Sequence, residues 1–373
     1  MSLFLTLYLI LYGGMQVYLY LWLRLLLPAH PLARVALGAW LGLMLLAPAL
    51  TRGLALTGHW SLAKLAALAG YHWMALSFLG FCVLVLWGGA DVLVRLVAWA
   101  GGPGLPRLYA RGPLLAALGV VGALYGYGLW EASHPRLETV TLTTPRLPAG
   151  SRPLVLAQIS DLHLSLHEVG SRLDPTLALL EGRQPDLIIS TGDFWDGLAP
   201  DQADKVAARL AALRPPLGKY AIFGNHEYYV GLDRSERFHR KCGFQVLRNQ
   251  ALTVGGVLNL AGVDDIPAPG PAVEAELVKS LPPGLPTVFL KHRPLPGPYL
   301  AGRVDLMLSG HTHAGQIYPF NYVVDRLFTY FQGLFHLEGG VTLYVSRGTG
   351  AWGPPVRLAA VPEVTWFVLR PKK

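Results

Sequence analysis

Long apolar stretches fill the first third of this chain and restrict its fold more than any other feature. A helix needs about 17–25 mostly apolar residues to cross the hydrocarbon core of a bilayer. We predict four membrane helices, and three or five remain compatible with the pattern: 3–23, 35–50, 65–90 and 113–130. The first stretch lacks the basic start of a cleaved signal peptide, so we interpret it as a retained helix.

Basic residues are distributed unevenly around these predicted helices. The first and third loops contain Arg24, Arg34, Arg95, Arg107 and Arg111. The middle loop and the segment after the fourth helix contain Arg52, Lys64 and Arg136. Because basic loops tend to remain cytoplasmic, the pattern favours an orientation with both termini, and the large second domain, on the extracytoplasmic side.

Gln16 and His72 are polar residues inside the first and third apolar stretches. Polar groups at membrane depth often belong to a transport path. None of the four stretches contains Asp or Glu. We therefore favour hydrogen bonds between helices, or an interfacial position, over an ion or proton path.

Charge and cysteine content exclude several other classes of protein. The net charge of +8 comes from scattered Arg and Lys, without the basic stripe of a nucleic-acid reader, so no nucleic-acid partner is expected. Attraction to anionic membrane surfaces or anionic substrates is the favoured meaning of that charge. Cys82 and Cys242 are too few for a thiolate metal site.

The composition changes after residue 132, where Pro, Thr and Gly become frequent and residues 137–142 alternate like a half-exposed strand. We divide the chain into a helical membrane domain (1–132), a linker with an edge strand (133–153) and a second domain (154–373). In the second domain, short apolar runs predict buried strands at 154–159, 187–190, 220–223, 287–290 and 304–308. Helical patterns lie between several of these runs, which predicts an α/β layered fold.

Polar, metal-binding side chains directly follow each of the five predicted strands. They are Asp161, His163, Asp193, Asp196, Asn225, His226, His292, His311 and His313. Ligands of α/β layered folds bind beyond the carboxyl ends of the strands, so we expect these clusters to lie together. Carboxylate, imidazole and carboxamide ligands without cysteine favour Mn, Fe, Zn or Co. There are too many ligands for one ion, which favours a pair of ions sharing a carboxylate.

This ordered set of motifs resembles the calcineurin-like metallophosphoesterase family from about residue 154 onward. The resemblance extends to residues 346–350 (SRGTG) and 354–357 (PPVR). Gly315 and Gln316 resemble a membrane-associated bacterial branch, which includes enzymes similar to UDP-2,3-diacylglucosamine hydrolase. The resemblance implies a four-layer α/β domain, a β-sandwich flanked by helices, in a bacterial plasma membrane protein.

The resemblance also implies a role for each site residue. One divalent ion would be held by Asp161, His163, Asp193 and His313, and the other by Asp193, Asn225, His292 and His311. A hydroxide bridging the two ions would attack phosphorus. His226 would assist the leaving group, and we expect Asp196 to orient His226 or, alternatively, to cap the following loop.

These observations predict a membrane-anchored two-metal phosphohydrolase. The expected substrate is a phosphodiester or pyrophosphate, either a phosphorylated small molecule or a lipid-linked compound in the bilayer. The aromatic segment 318–335 is interpreted as a surface for acyl chains or membrane, or as core packing over the sheet edge. The alternative function is a membrane transport or signalling protein whose second domain binds phosphoryl groups without turnover.

Overall fold

The computed structural model describes residues 3–103 and 106–372. It contains two compact units, one formed by residues 1–130 with 353–356 and the other by residues 131–352 with 357–373. The first unit is helical, and the second combines strands with helices.

Four helices of the first unit are long and apolar enough to cross a membrane, which confirms the predicted number. They are α1 (Leu3–Leu23), α2 (Pro31–Leu56), α3 (Trp60–Trp99) and α4 (Arg111–Ala132). The start of α2 has clear local causes: Pro31 occupies its first position, and the His30 side chain accepts the Leu32 N–H. The predicted spans were too short for α2 and α3, since both helices continue through polar residues at their ends.

Helix α3 has 40 residues and includes Arg95, which we had placed in a loop. It also contains Asp91, an acidic residue beyond the predicted span. The carboxylate of Asp91 accepts hydrogen bonds from Arg95 and from the backbone N–H groups of Leu108 and Tyr109, at 2.7, 2.6 and 3.0 Å. Asp91 therefore fixes the segment that leads into α4.

The polar residues inside the helices pair with one another. Gln16 of α1 donates to the hydroxyl of Ser77 of α3 at 3.1 Å, and the Trp73 indole donates to the Gln16 carbonyl oxygen at 3.0 Å. His72 bonds to the hydroxyl of Tyr125. Gln16 and His72 thus form hydrogen bonds between helices, as we had favoured.

The second unit contains two six-stranded mixed sheets. The first sheet has the order β1 (Arg136–Thr144), β14 (Glu363–Pro371), β2 (Leu154–Ile159), β4 (Leu187–Ser190), β6 (Lys219–Ala221) and β7 (Gln245–Val246). The second has the order β12 (Gly333–His336), β13 (Thr342–Val345), β11 (Leu306–Ser309), β10 (Thr287–Leu290), β9 (Leu258–Gly262) and β8 (Gln250–Val254). Strands β3 (Leu164–Ser165) and β5 (Trp195–Gly197) form a separate pair.

In the part of the chain that the structure describes, six helices accompany these sheets. They are α5 (Val169–Glu181), α6 (Pro200–Ala212), α7 (Asn225–Val230), α8 (Leu232–Lys241), α9 (Pro271–Ser280) and α10 (Asn321–Leu327). Helices α5, α6, α8 and α9 pack on the outer faces of the sheets. Alternate residues of β2 serve two layers: Leu156 packs in the core shared with the second sheet, and Ile159 packs in the core shared with α5, α6 and α8. Val278 of α9 packs with Phe289 on the outer face of the second sheet. The expected four-layer α/β sandwich is confirmed.

Candidate metal centre

The carboxyl ends of parallel strands carry the predicted site residues. Asp161 and His163 follow β2, Asp193 follows β4, and Asp196 lies in β5. Asn225 and His226 begin α7 directly after β6, His292 follows β10, and the loop after β11 contains His311 and His313. The structure brings eight of the nine side chains into three groups, two of which share His163. The ninth residue, Asn225, precedes His226 at the start of α7.

The first group consists of Asp161, His163 and His313, all buried. The Nε2 atoms of His163 and His313 are 3.0 Å apart, and His313 Nε2 is 3.3 Å from an Asp161 oxygen. Two imidazole nitrogens that face each other at this distance need a proton or a cation between them. The donor atoms of the group lie within 4.8 Å of one another, so they can bind one ion together.

The second group consists of Asp193, His292 and His311. His292 Nε2 lies 3.3 Å from Asp193 Oδ2 and 3.2 Å from His311 Nδ1. His292 Nδ1 donates to the Thr191 carbonyl at 2.8 Å, which leaves Nε2 free to act as a ligand. Asp193 Oδ2 is also 3.7 Å from His163 Nε2, so this carboxylate lies between the two groups.

Asn225 contributes a buried carboxamide at the start of α7, next to His226 in the chain. Its side-chain oxygen is inaccessible to solvent and has no hydrogen-bond partner among residues 3–103 and 106–372. A buried carbonyl oxygen without a partner costs about 1–3 kcal/mol. The orphaned oxygen fits a divalent ion, for which a carboxamide oxygen is a suitable ligand.

The third group links His163 and His226 through a single carboxylate oxygen. Asp196 Oδ1 is 2.9 Å from His163 Nδ1 and 2.7 Å from His226 Nδ1. Because a carboxylate oxygen only accepts, both imidazoles donate from Nδ1 and direct Nε2 elsewhere. His226 Nε2 lies 3.9 Å from Asp193 Oδ2. Asp196 therefore contacts both histidines, and its role in orienting His226 stays a prediction.

The carboxylates of the centre favour the ionised form. Burial opposes ionisation of Asp193, but the nearby charge of His292 outweighs it and holds the pKa of Asp193 well below its usual range. The same balance, with His313 as the main opposing charge, lowers the pKa of Asp161. The pKa of His226 rises to about 9, because Asp196 and Asp193 together outweigh its burial. Ionised carboxylates beside imidazole nitrogens form a donor set that attracts cations.

Several of these residues adopt a strained backbone. Five of the seven candidate ligands have left-handed φ angles: Asp161 (51°), His163 (46°), Asp193 (51°), His311 (72°) and His313 (53°). Non-glycine residues rarely adopt this conformation, and each costs on the order of 1–3 kcal/mol. The strain concentrates where the side chains converge.

Two glycines let the backbone approach the ligands closely. A Cβ atom at Gly310 would overlap the side chains of Ser160 and Asp161. A Cβ atom at Gly224 would overlap an oxygen of Asp193. Both positions therefore require glycine if the carboxylates are to keep their places.

Sequence reasoning missed two residues that support the centre. The buried Glu227 accepts the backbone N–H groups of Asp193, Phe194 and Gly224 at 3.0, 2.8 and 2.8 Å. Its position three residues after Gly224, at the start of α7, was an available signal for such a role.

The other missed residue is Arg357, which is fully buried. Its guanidinium donates to the backbone oxygens of His313, Arg347, Gly350 and Ala360. The only signal in the sequence was its place in the PPVR motif. Arg357 ties the His313 loop to the segment around residue 350.

The two residues beside His292 form ion pairs. Lys291 forms an ion pair with the buried Glu274 at 2.9 Å, and Arg293 lies 3.2 Å from Asp265. In the aromatic segment, Tyr318, Phe320 and Tyr322 are exposed, whereas Phe328 contacts the His311 ring at a centroid distance of 5.5 Å. The segment thus combines surface and packing roles.

The chain is similar to several known proteins. Residues 154–315 match the model of the calcineurin-like phosphoesterase family. The chain is 38% identical over 255 residues to an uncharacterized metallophosphoesterase of Aquifex aeolicus, covering 67% of this chain and 97% of that protein. It is 32% identical over 332 residues to a transmembrane protein with metallophosphoesterase domain of Bos taurus, covering 82% and 74%. An uncharacterized metallophosphoesterase of Bacillus subtilis is 32% identical over 274 residues, covering 69% and 94%.

The chain therefore belongs to the calcineurin-like metallophosphoesterase family. It is a metal-dependent phosphoesterase, which favours the hydrolase over the non-turnover alternative. Its four apolar helices and its similarity to transmembrane relatives indicate that it associates with a membrane.

Proposed function

We propose that this protein is a membrane-anchored two-metal phosphohydrolase that cleaves phosphodiester or pyrophosphate bonds. One observation carries the proposal: His and Asp donors from five separate strand ends form three neighbouring groups, with the Asp193 carboxylate lying between His163 and His292. Carboxylates and imidazoles that converge from remote parts of the chain form the kind of donor set that binds cations.

Two divalent cations fit the residues present. We assign one to Asp161, His163, Asp193 and His313, and the other to Asp193, Asn225, His292 and His311. The unpartnered oxygen of Asn225 and the facing nitrogens of His163 and His313 support this assignment. The absence of thiolates favours Mn, Fe, Zn or Co. When bound, the ions would activate water at neutral pH and offset the charge of the phosphoryl oxygens.

We assign His226 to the leaving group. Its Nδ1 donates to Asp196, which orients the ring, and its Nε2 faces the centre near Asp193. A proton on Nε2 is thus available to the oxygen that departs from phosphorus. His226 remains outside both proposed ligand sets, so its ring is not needed to hold an ion.

We extend the proposal to a lipid-linked substrate, of the kind cleaved by enzymes similar to UDP-2,3-diacylglucosamine hydrolase. Four apolar helices would keep the domain near lipids and so raise the local concentration of such substrates. We also propose that the domain faces the extracytoplasmic side of a bacterial plasma membrane. The arginines near the α1–α2 and α3–α4 connections support this orientation.

Hydrolysis of bis-p-nitrophenyl phosphate by the detergent-purified full chain tests the proposed activity. We expect activity with added Mn²⁺, loss after dialysis against a chelator, and recovery when Mn²⁺, Zn²⁺ or Co²⁺ is restored. Inactivity with all of these ions, or undiminished activity after chelation, would contradict the proposal. The substrate class is then tested by comparing nucleotide-linked lipids with water-soluble diesters.

The role of His226 is tested by His226→Gln. General acid catalysis typically contributes about 10²–10⁴-fold. We expect a loss in this range for esters of basic alcohols and a smaller loss for p-nitrophenyl esters, whose leaving group departs without a proton. Equal losses for both kinds of ester would argue against this role.

A further inference from the structure

Two large aromatic side chains lie against the imidazole of His226. The ring of Tyr229 is 5.3 Å from it, centroid to centroid, at an interplanar angle of 64°. The ring of Trp352 is 5.8 Å away at 78°. Tyr229 is 55% exposed and Trp352 is 51% exposed, so both keep a substantial apolar surface open beside a reactive group.

Both rings are held in position by the elements of the site. Tyr229 lies three residues after His226 on α7, which places the two side chains on neighbouring positions of the helix surface. Trp352 lies in a loop, and the Gln316 side chain bonds both polar groups of its backbone. Gln316 accepts the Trp352 N–H at 2.8 Å and donates to the Trp352 carbonyl at 2.9 Å.

Gln316 connects this loop to the candidate ligands. It lies three residues after His313 and has a left-handed φ of 56°. A side chain that satisfies both polar groups of one residue fixes that residue more firmly than a single bond does. The position of Trp352 is thus set by the same loop that carries His311 and His313.

The contacts with His226 leave the aromatic faces available. Both interplanar angles are far from parallel, so neither ring is stacked on the imidazole. Aromatic rings pair well with other rings in edge or offset arrangements. A flexible alkyl chain gains less from two rigid rings than a planar group does.

We propose that Tyr229 and Trp352 form a leaving-group subsite that binds a flat aromatic ring, with Gln316 as its positioning residue. This inference rests on the proposed role of His226 at the leaving oxygen. Atoms attached to that oxygen extend past the imidazole, where the two rings are. The substrate class is therefore a phosphoester whose departing alcohol carries an aromatic ring within a few bonds of phosphorus, such as an arylalkyl or nucleoside group.

The test compares two diesters with matched leaving groups. Methyl 2-phenylethyl phosphate and methyl butyl phosphate release alcohols of similar acidity, so their intrinsic reactivities are close. Stacking on an aromatic side chain contributes about 1–3 kcal/mol, equivalent to about 5–150-fold. We expect the full-length Mn²⁺-loaded protein to favour the phenylethyl ester by at least about tenfold in kcat/KM, measured by alcohol release.

Single-residue variants test which side chains cause the preference for the phenylethyl ester. Trp352→Leu and Tyr229→Leu should each reduce the ratio of the two kcat/KM values toward one, while Trp352→Phe should retain most of it. Gln316→Leu should also reduce the ratio. A purely structural role for Gln316 would instead lower both rate constants in parallel. Tyr322→Leu, at an exposed aromatic residue of α10, is the matched control and should keep the wild-type ratio.

The outcomes separate this inference from the proposed function. Equal kcat/KM values for the two esters in wild type would overturn the subsite but leave the hydrolase intact. So would a preference that persists in both the Trp352→Leu and the Tyr229→Leu variants. If wild type hydrolyses neither ester nor bis-p-nitrophenyl phosphate, the proposed function fails and the subsite fails with it.

Discussion

Backbone strain is distributed very differently in the two units. Among the described residues, all ten non-glycine residues with left-handed φ angles lie in the second unit, and none lies in the helical unit. Seven of the ten lie in the loops that carry the candidate ligands: Asp161, His163, Asp193, His311, His313, Ala314 and Gln316. The helical unit instead has regular backbone throughout its long helices.

Buried carboxylates show the same contrast. Asp91 in α3 accepts from one guanidinium and two backbone N–H groups, so its charge is satisfied within the fold. Asp193 faces the Nε2 atoms of His163, His226 and His292 at 3.7, 3.9 and 3.3 Å, an arrangement that an ion would complete. Strain and incomplete bonding persist where a ligand compensates for them. Polar groups elsewhere support the fold.

Of the variants that test this contrast between the two units, Asp193→Asn should have the largest effect. Removing the charge between the two donor groups should lower the rate of phosphodiester hydrolysis by on the order of 10³-fold, with loss of bound metal. Hydrolysis of bis-p-nitrophenyl phosphate and metal analysis of the purified protein measure both. Asp91→Asn is the matched control in the other unit and should keep its activity. Comparable losses in both variants would break the contrast.

Arg357→Met should mainly reduce stability. The variant leaves several buried backbone oxygens without a donor, which should lower the free energy of unfolding by about 3 kcal/mol or more. Urea unfolding in detergent, followed by near-UV circular dichroism, gives the value. Arg209→Met, at a surface pair with Asp174, should cost less than about 1 kcal/mol. Equal losses of unfolding free energy in the two variants would mean that Arg357 does not stabilise the His313 loop.

The buried His239 should make the free energy of unfolding sensitive to acid. Burial lowers the pKa of this core histidine to about 4, below the ordinary value of 6.5, so the folded state binds fewer protons than the unfolded state. The contribution of His239 to the free energy of unfolding is therefore fully present above about pH 6.5. It decreases by about 3 kcal/mol as the pH falls toward 4.

The same urea measurement at several pH values tests this. In His239→Leu the decrease in unfolding free energy between pH 6.5 and 4 should be smaller by about 2–3 kcal/mol. His336→Leu, at an exposed histidine, should respond to acid like the wild type. An unchanged response in His239→Leu would show that other groups cause the acid sensitivity.

Gln16→Leu should have the smallest effect. The hydrogen bonds of Gln16 with Ser77 and Trp73 join two helices, and such bonds contribute about 0.6 kcal/mol each in membrane proteins. We expect a decrease in thermal stability of the helices of that order and no change in phosphodiester hydrolysis. A large loss of activity would instead revive the idea of a path through the helices.

Much of the fold was predictable because apolar length and strand-end polarity are local signals. Four membrane helices and the α/β layers follow from them, and Asp161 and His311 were recognised by their positions after strands. The ends of α3 were not, because Asp91 pairs with Arg95 and accepts a backbone N–H of the next loop, which sequence patterns do not reveal.

The site was predicted less completely than the fold. Glu227 and Arg357 act on backbone groups that are up to 44 residues away in sequence, so only the folded chain identifies their partners. Trp352 was not singled out for the same reason: its contact with His226 depends on how two distant loops meet. The ligand roles of all seven candidate residues stay predictions, and the Asp193→Asn experiment addresses that of Asp193.

Strand β1 has an unusual place in the order of assembly. It is the first strand after the helices, yet its partner in the sheet is β14, more than 200 residues later, which separates it from β2. While the chain is being synthesised, β1 has no β14 to pair with until residues 363–371 emerge. Closing such a long loop is slow, and an unpaired strand is prone to aggregate. The alternating Thr and charged residues of β1 would keep it soluble during that interval.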